Sequence, residues 1–229
     1  MKRPVVDYRK LRLSNITSHE YRHVLLLLGW VFYFCGYFLT ENLIPVENCH
    51  PVWCPLDDIV PFCEWFVIPY VGWYALVFLS LGYFFFYDVE DFSRLSKYIL
   101  ITQIVAMIAY VVYPTRQDLR PEEFLNDNIL TTICGFLYSF DTNTGVCPSL
   151  HVAYSLGILS VWTKRKQTRG WFKAFIAVSV ILICMATSFV KQHSVVDFFA
   201  AIPVCLLAEW LVYNRFYRHK HQEHRRKRR

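Results

Sequence analysis

The sequence predicts an all-α polytopic membrane protein of six transmembrane helices, a bundle with both termini in the cytoplasm. Three observations predict it. Hydrophobic residues make up 55% of the chain and charged residues only 18%, against about 45–50% and about 25% in soluble globular proteins. The apolar residues gather into six nearly charge-free blocks, and about 20 such residues in a helix span the hydrocarbon core of a bilayer. Of the 24 Lys and Arg residues, 21 fall on one side of a six-helix layout, the asymmetry that keeps loops in the cytoplasm. These figures exclude a secreted disulfide scaffold, a cytosolic enzyme and a disordered tail protein.

In order, residues 1–21 form a cytoplasmic N-terminal segment rich in Lys and Arg. The glycosylation sequon Asn15-Ile16-Thr17 lies there and stays unmodified. The six spans are 22–39, 65–87, 98–113, 148–162, 171–190 and 195–213, within a membrane domain of residues 22–214. No cleavage site follows the first span, so it reads as a retained anchor. Backbone groups in lipid must be satisfied within their own segment, which makes the spans helices. Neither the dyad alternation of a membrane barrel nor an inverted repeat is visible. Trp30, Trp65, Trp73, Trp162, Trp171 and Trp210 read as interfacial belts or lipid-facing residues, Glu209 as an interfacial acid, and residues 215–229 as a basic cytoplasmic tail that fixes topology.

Two larger loops lie on the other side. Residues 40–64 carry Glu41, Glu47, Asp57, Asp58 and Glu64 without one basic residue, and their Pro, Trp and Phe content places them in the interface. Residues 114–147 form the second loop. Cys49, Cys54, Cys63, Cys134 and Cys147 face this side, where Cys49–Cys54 or Cys134–Cys147 could pair in an oxidising compartment.

Three cations remain, Arg116, Arg120 and Lys191, each on the side that topology disfavours. Basic residues kept there mark a functional site, and their shared sign points to an anion. Of eight His, five are cytoplasmic and His50 reads as a surface residue. His151 and His193 begin the fourth and sixth spans, and Asp197 follows His193 by four residues, one turn along the same helical face. Three segments thus converge: Tyr113 to Pro121, Cys147-Pro148-Ser149-Leu150-His151, and Lys191-Gln192-His193 through Asp197. A helix N-terminus at Pro148-Ser149 with nearby cations suits a phosphate. Two His, one paired with a carboxylate, suit phosphoryl transfer as nucleophile and general acid. A metal site on His151, His193 and Asp197 is chemically open but lacks an evident fourth ligand.

These segments resemble the three signature motifs of the type 2 phosphatidic acid phosphatase (PAP2) superfamily, K-x6-R-P, P-S-G-H and S-R-x5-H-x3-D. Arg120-Pro121, Pro148-Ser149 with His151, and His193 with Asp197 match. Tyr113 stands for the first Lys, Leu150 for the Gly, and Ala186-Thr187 for the Ser-Arg pair, with Arg116 and Lys191 as candidate substitutes one turn away. The P-S-L-H form is similar to the inositol phosphorylceramide synthase branch. The resemblance implies a six-helix membrane phosphatase. His193 is its nucleophile, His151 its general acid and base, and Asp197 orients His193. Arg120, Ser149, Lys191, Arg116 and Tyr113 line the phosphate site. It implies a lipid (di)phosphate ester as substrate, cleaved at the extracytoplasmic face, most naturally of a plasma membrane, with no metal, no cofactor and no nucleic-acid partner. The second reading is a headgroup phosphotransferase of the same fold, and the third a lipid or anion transporter, which needs no nucleophile.

Overall fold

A computed structural model describes residues 4–216; Lys2, Arg3 and the basic tail beyond residue 216 lie outside the described residues. In chain order the helices are α1 (Leu28–Leu43), α2 (Pro55–Ile59), α3 (Val67–Tyr87), α4 (Val89–Val112), α5 (Ile129–Phe140), α6 (Leu150–Lys164), α7 (Gly170–Phe189) and α8 (Val195–Trp210). A 3-10 turn from Arg22 leads into α1, and a π-helical turn, Leu211–Phe216, extends α8.

Five helical stretches are long and apolar enough to cross a membrane: Arg22–Leu43, Glu64–Tyr87, Val89–Val112, Gly170–Phe189 and Val195–Asn214. Their outward surfaces carry Phe32, Phe38, Phe78, Ile181 and Leu206, each more than half exposed. A surface this apolar requires a lipid environment. The protein is a helical membrane protein.

The remaining expected span, the fourth (148–162), coincides with α6, which differs in kind. Its 15 residues extend about 22 Å at ~1.5 Å each, against a hydrocarbon core of ~30 Å. His151, Ser155, Ser160 and Lys164 make it less apolar, and its neighbours explain how that is tolerated. It packs against α4, α7 and α8, with Val152, Ala153, Tyr154, Ile158 and Val161 buried. A helix enclosed by other helices need not be lipid-soluble all round. Against α4, Gly157 leaves room for Tyr98; a methyl group there would stand 2.5 Å from the Tyr98 ring.

The third span begins at Val89 rather than at residue 98. Asp88 caps the helix by accepting from the Asp91 backbone N–H at 3.1 Å. Arg94 pairs with Asp91 at 2.6 Å and with Glu90 at 2.9 Å, and Arg165 reaches Asp88 at 2.6 Å from the α6–α7 turn. Charges that broke the apolar block in sequence are neutralised on the first turns of the helix. Trp73 and Trp162 are not belt residues: Trp162 is buried, its Nε1 donating to Ser80 Oγ at 3.1 Å, and Trp73 lies against His151. Glu209 accepts from Ser160 Oγ at 2.7 Å and pairs with Lys164, which accounts for an acid at that depth.

The two larger loops are structured. Strand β1 (His50–Pro51) pairs in parallel with β2 (Thr115–Arg116), stitching one loop to the other. Within the second loop, Asn128 caps α5 by accepting from the Leu130 and Thr131 backbone N–H groups. The α5 face formed by Thr131, Cys134 and Leu137 is buried, while Ile129, Phe136 and Phe140 are exposed. All eight cysteines are free thiols, so neither Cys49–Cys54 nor Cys134–Cys147 is bridged. Cys134 is instead enclosed in an apolar cluster with Val67, Tyr70 and Leu137.

Candidate functional site

The N-termini of α6 and α8 meet at one end of the bundle. Ser149 is the N-cap of α6, its Oγ facing the Val152 N–H at 3.5 Å, and its own N–H donates across to the Asp197 carbonyl at 3.2 Å. Ser194 is the N-cap of α8, where Asp197 returns the favour by accepting from the Ser194 N–H at 3.1 Å. That reciprocal capping is a local consequence of Ser and Asp three residues apart at a helix start. It fixes Asp197, fully buried, beneath the preceding residue, His193. His193 Nδ1 lies 3.1 Å from Asp197 Oδ2. A carboxylate only accepts, so Nδ1 carries the proton and Nε2 presents a lone pair. That Nε2 faces His151 Nδ1 at 3.3 Å. The His151 ring packs at a tilt against Tyr70 and Trp73 of α3, at 4.6 and 4.2 Å between centroids.

The turn between α7 and α8 explains how His193 arrives there. Lys191 has φ 51°, a left-handed residue that reverses the chain after α7. The backbone N–H groups of Gln192 and His193 then both donate to the Thr187 carbonyl at 3.0 Å.

Arg120 is the one expected cation that reaches this region. Its guanidinium donates to the carbonyls of Tyr138, Asp141 and Thr142 at the end of α5, and to Gln192 Oε1 at 2.5 Å. It also lies over the Tyr138 ring at 4.7 Å. Burial holds its pKa below the ordinary Arg value, with Asp141 opposing that shift. Lys191 is directed elsewhere: its ammonium donates to the Asp57 and Val60 carbonyls at 2.8 and 2.5 Å, capping the C-terminal end of α2. Arg116 pairs with Asp118 at 3.0 Å and donates to the Val46 carbonyl at 3.0 Å. Tyr113 is exposed and stacked on His50 at 4.2 Å. The structure brings together His193, His151, Asp197, Ser149 and Arg120; it gives Lys191, Arg116 and Tyr113 no contact with the His pair.

Four residues complete the site beyond those expected. Asp57 of α2, 2% exposed, accepts from Ser194 Oγ at 2.5 Å and from the Val195 N–H at 2.8 Å, clasping the loop onto the start of α8. Asp141 accepts from Tyr70 Oη at 3.3 Å. Burial raises its pKa above the usual carboxylate range, against the pull of His193 and Arg120. Cys147 adjoins Asp197, and burial together with that carboxylate pushes its thiol up to about 12. Gln192, 3% exposed, bridges Arg120 to His193 along the chain. Gln192 and Cys147 carried a local signal, as members of the segments that hold His193 and His151; the partners of Asp57 and Asp141 are more than 70 residues away.

Arg120 Nε, Gln192 Nε2, Trp73 Nε1 and His151 Nε2 are buried without a hydrogen-bond partner. Each such group costs about 1–3 kcal/mol unless something pairs with it. Three of them, on Arg120, Gln192 and Trp73, are N–H donors beside the His pair, complementary to the oxygens of an anion, while His151 Nε2, opposite the Nδ1 that faces His193, presents a lone pair. No group of three or more His, Cys, Asp or Glu side chains among the described residues is arranged to hold a metal ion. No family model, curated protein or solved structure matches the chain.

Proposed function

We propose that the protein is a membrane lipid phosphatase that hydrolyses a lipid phosphate ester through a phosphohistidine, at the extracytoplasmic face of a six-span bundle with cytoplasmic termini. One observation carries the proposal: His193 is held by Asp197 on one ring nitrogen and faces His151 with the other. His193 Nε2 attacks phosphorus, the P–O bond to the lipid alcohol breaks, and His151 delivers a proton to the leaving oxygen. Asp197 stabilises the positive charge that develops on the His193 ring. His151 then takes a proton from water, which attacks the phosphohistidine, releases phosphate and restores His193. The unpartnered donors of Arg120, Gln192 and Trp73 bind the equatorial oxygens, where charge accumulates. At 3.3 Å the two rings leave no room for a phosphoryl group, so substrate binding parts them, in keeping with catalytic hydrogen bonds that reorganise in the substrate complex.

A second reading, a headgroup phosphotransferase, is favoured by the scarcity of cations. Ala186 and Thr187 are fully buried and offer no charge, and Lys191 and Arg116 are engaged elsewhere. One guanidinium suits a phosphodiester, which carries one negative charge, better than a monoester with nearly two. In this reading an alcohol replaces water in the second step.

The test is release of inorganic phosphate by the purified protein from a panel of lipid phosphates, with and without EDTA. Phosphate release that survives EDTA and disappears in His193→Ala is expected. Headgroup exchange to an added alcohol, without free phosphate, selects the transferase. Loss of activity with EDTA, or activity that survives His193→Ala, contradicts the covalent mechanism.

A further inference from the structure

A groove of about 1200 Å³ runs between α3 and α7 on the membrane-facing side of the bundle, away from the face of α3 that holds Tyr70 and Trp73 against His151. Along α3 its wall extends from Ile68 to Tyr87, about 28 Å at ~1.5 Å per residue, nearly the hydrocarbon thickness of ~30 Å. The groove exists because α3 places Gly72, Ala75 and Gly82 along this wall. A methyl group added at Gly72 or Gly82 would meet nothing within 4 Å, so these positions shape open space rather than helix contact.

Its two ends differ chemically. Most of the lining is apolar, and its two serine hydroxyls are engaged: Ser80 accepts from Trp162, and Ser179 donates to the Phe175 carbonyl. At the end farthest from the His pair the lining turns polar, with Arg165, Gln167, Thr168 and Arg169. Arg165 is neutralised by Asp88 and Asp91. Arg169 and its neighbour Lys166 have no carboxylate partner among the described residues. Residues 163–173 contain no acid at all. Thr168 Oγ1 is buried there without a hydrogen-bond partner.

We propose that this groove is a binding site for a resident glycerophospholipid with an anionic headgroup. Its acyl chains lie along the glycine-lined wall of α3, and its phosphate meets Arg169 and the Thr168 hydroxyl, with the exposed Lys166 adding positive charge nearby. Uncompensated positive charge at one end of an otherwise apolar channel matches an amphiphile of that polarity; a helix from a second copy would leave the charge unmatched. The inference does not depend on the His pair being catalytic.

The experiment is native mass spectrometry of the full chain in mild detergent, titrated with phosphatidylglycerol and with phosphatidylcholine. One phosphatidylglycerol molecule is expected to bind, about tenfold more tightly than phosphatidylcholine, from the attraction of basic residues for anionic lipid. Gly72→Leu with Gly82→Leu fills the groove and should abolish both adducts at unchanged helical content. Lys166→Gln with Arg169→Gln, which alters only exposed side chains, should keep lipid binding and lose the preference. His193→Ala should leave the adduct intact; its loss would move the lipid to the His pair and overturn this site while leaving the catalytic proposal standing. Equal retention of the two lipids by the wild type overturns the proposal, as does a preference that survives the Gln pair. A dimer dissociated by the glycine variant would assign the groove to a second copy and overturn it as well.

Discussion

At His193 the two ring nitrogens have different neighbours, a carboxylate at 3.1 Å and an imidazole at 3.3 Å, and the chemistry proposed for the site follows from that division. Asp197→Asn presents an amide whose N–H₂ can turn toward the ring and favour the wrong tautomer. Turnover on a lipid phosphate should fall by about 10³–10⁴-fold with substrate binding little changed, read as kcat against KM. Asp141 provides a pH-dependent signature. Burial raises its pKa, so the folded protein holds this proton more tightly than the unfolded chain does. Its contribution to stability is whole below the unfolded pKa and is lost as pH rises through the folded one. Asp141→Asn should therefore melt above the wild type at pH 7, with the gap closing toward about pH 4. A gap constant with pH in thermal unfolding would contradict this. The pairing of His193 with Asp197 was legible in the sequence because four residues is one helical turn. Asp141 and the backbone carbonyl partners of Lys191 and Arg116 were not. A charge near a helix end announces an interaction but not its direction, and these partners are set by loops that fold back from far along the chain.

Among the elements, α2 and α5 are the surprises, for different reasons. Five residues of α2 cannot be told from a loop by periodicity, and what stabilises α2 is non-local: Asp57 binds the start of α8 while Lys191 caps its carbonyls. Asp57→Ala leaves the buried Ser194 hydroxyl and the half-buried Val195 N–H without their acceptor, at a cost of about 1–3 kcal/mol. It should lower activity along with the melting temperature, because the turn it clasps carries His193. Asp57→Asn, which keeps an acceptor, should recover part of both. The α5 helix was hidden inside an expected loop, although Asn128 and Thr131 form a legible cap; its short apolar run reads equally well as interfacial chain. The contact of α4 with α6 tests the packing. Gly157→Ala drives a methyl group into the Tyr98 ring, itself 2% exposed with no room to turn, and should destabilise by about 1–3 kcal/mol, measured as loss of thermal stability in detergent.

For the molecule as a whole, the apolar blocks were enough to read a helical membrane protein, and five of the expected spans have the length and apolarity to cross. The fourth, α6, was legible as a helix but its enclosure was not, because composition does not reveal which helix the others surround. Enclosure is what lets α6 carry His151 into the bundle beside His193. The charge of +6 divides accordingly. Most of it lies away from the His pair, and among the described residues one half-buried guanidinium, Arg120, lies beside that pair with unpartnered donors. The central claim is that this end of the bundle transfers a phosphoryl group to His193. The most direct test is to incubate purified protein with a ³²P-labelled lipid phosphate, quench in alkali and map the label by mass spectrometry. The account predicts an acid-labile, alkali-stable phosphoramidate on His193, which accumulates in His151→Ala because the water-activating base is gone. Turnover without such a species, or label on any other residue, would contradict it.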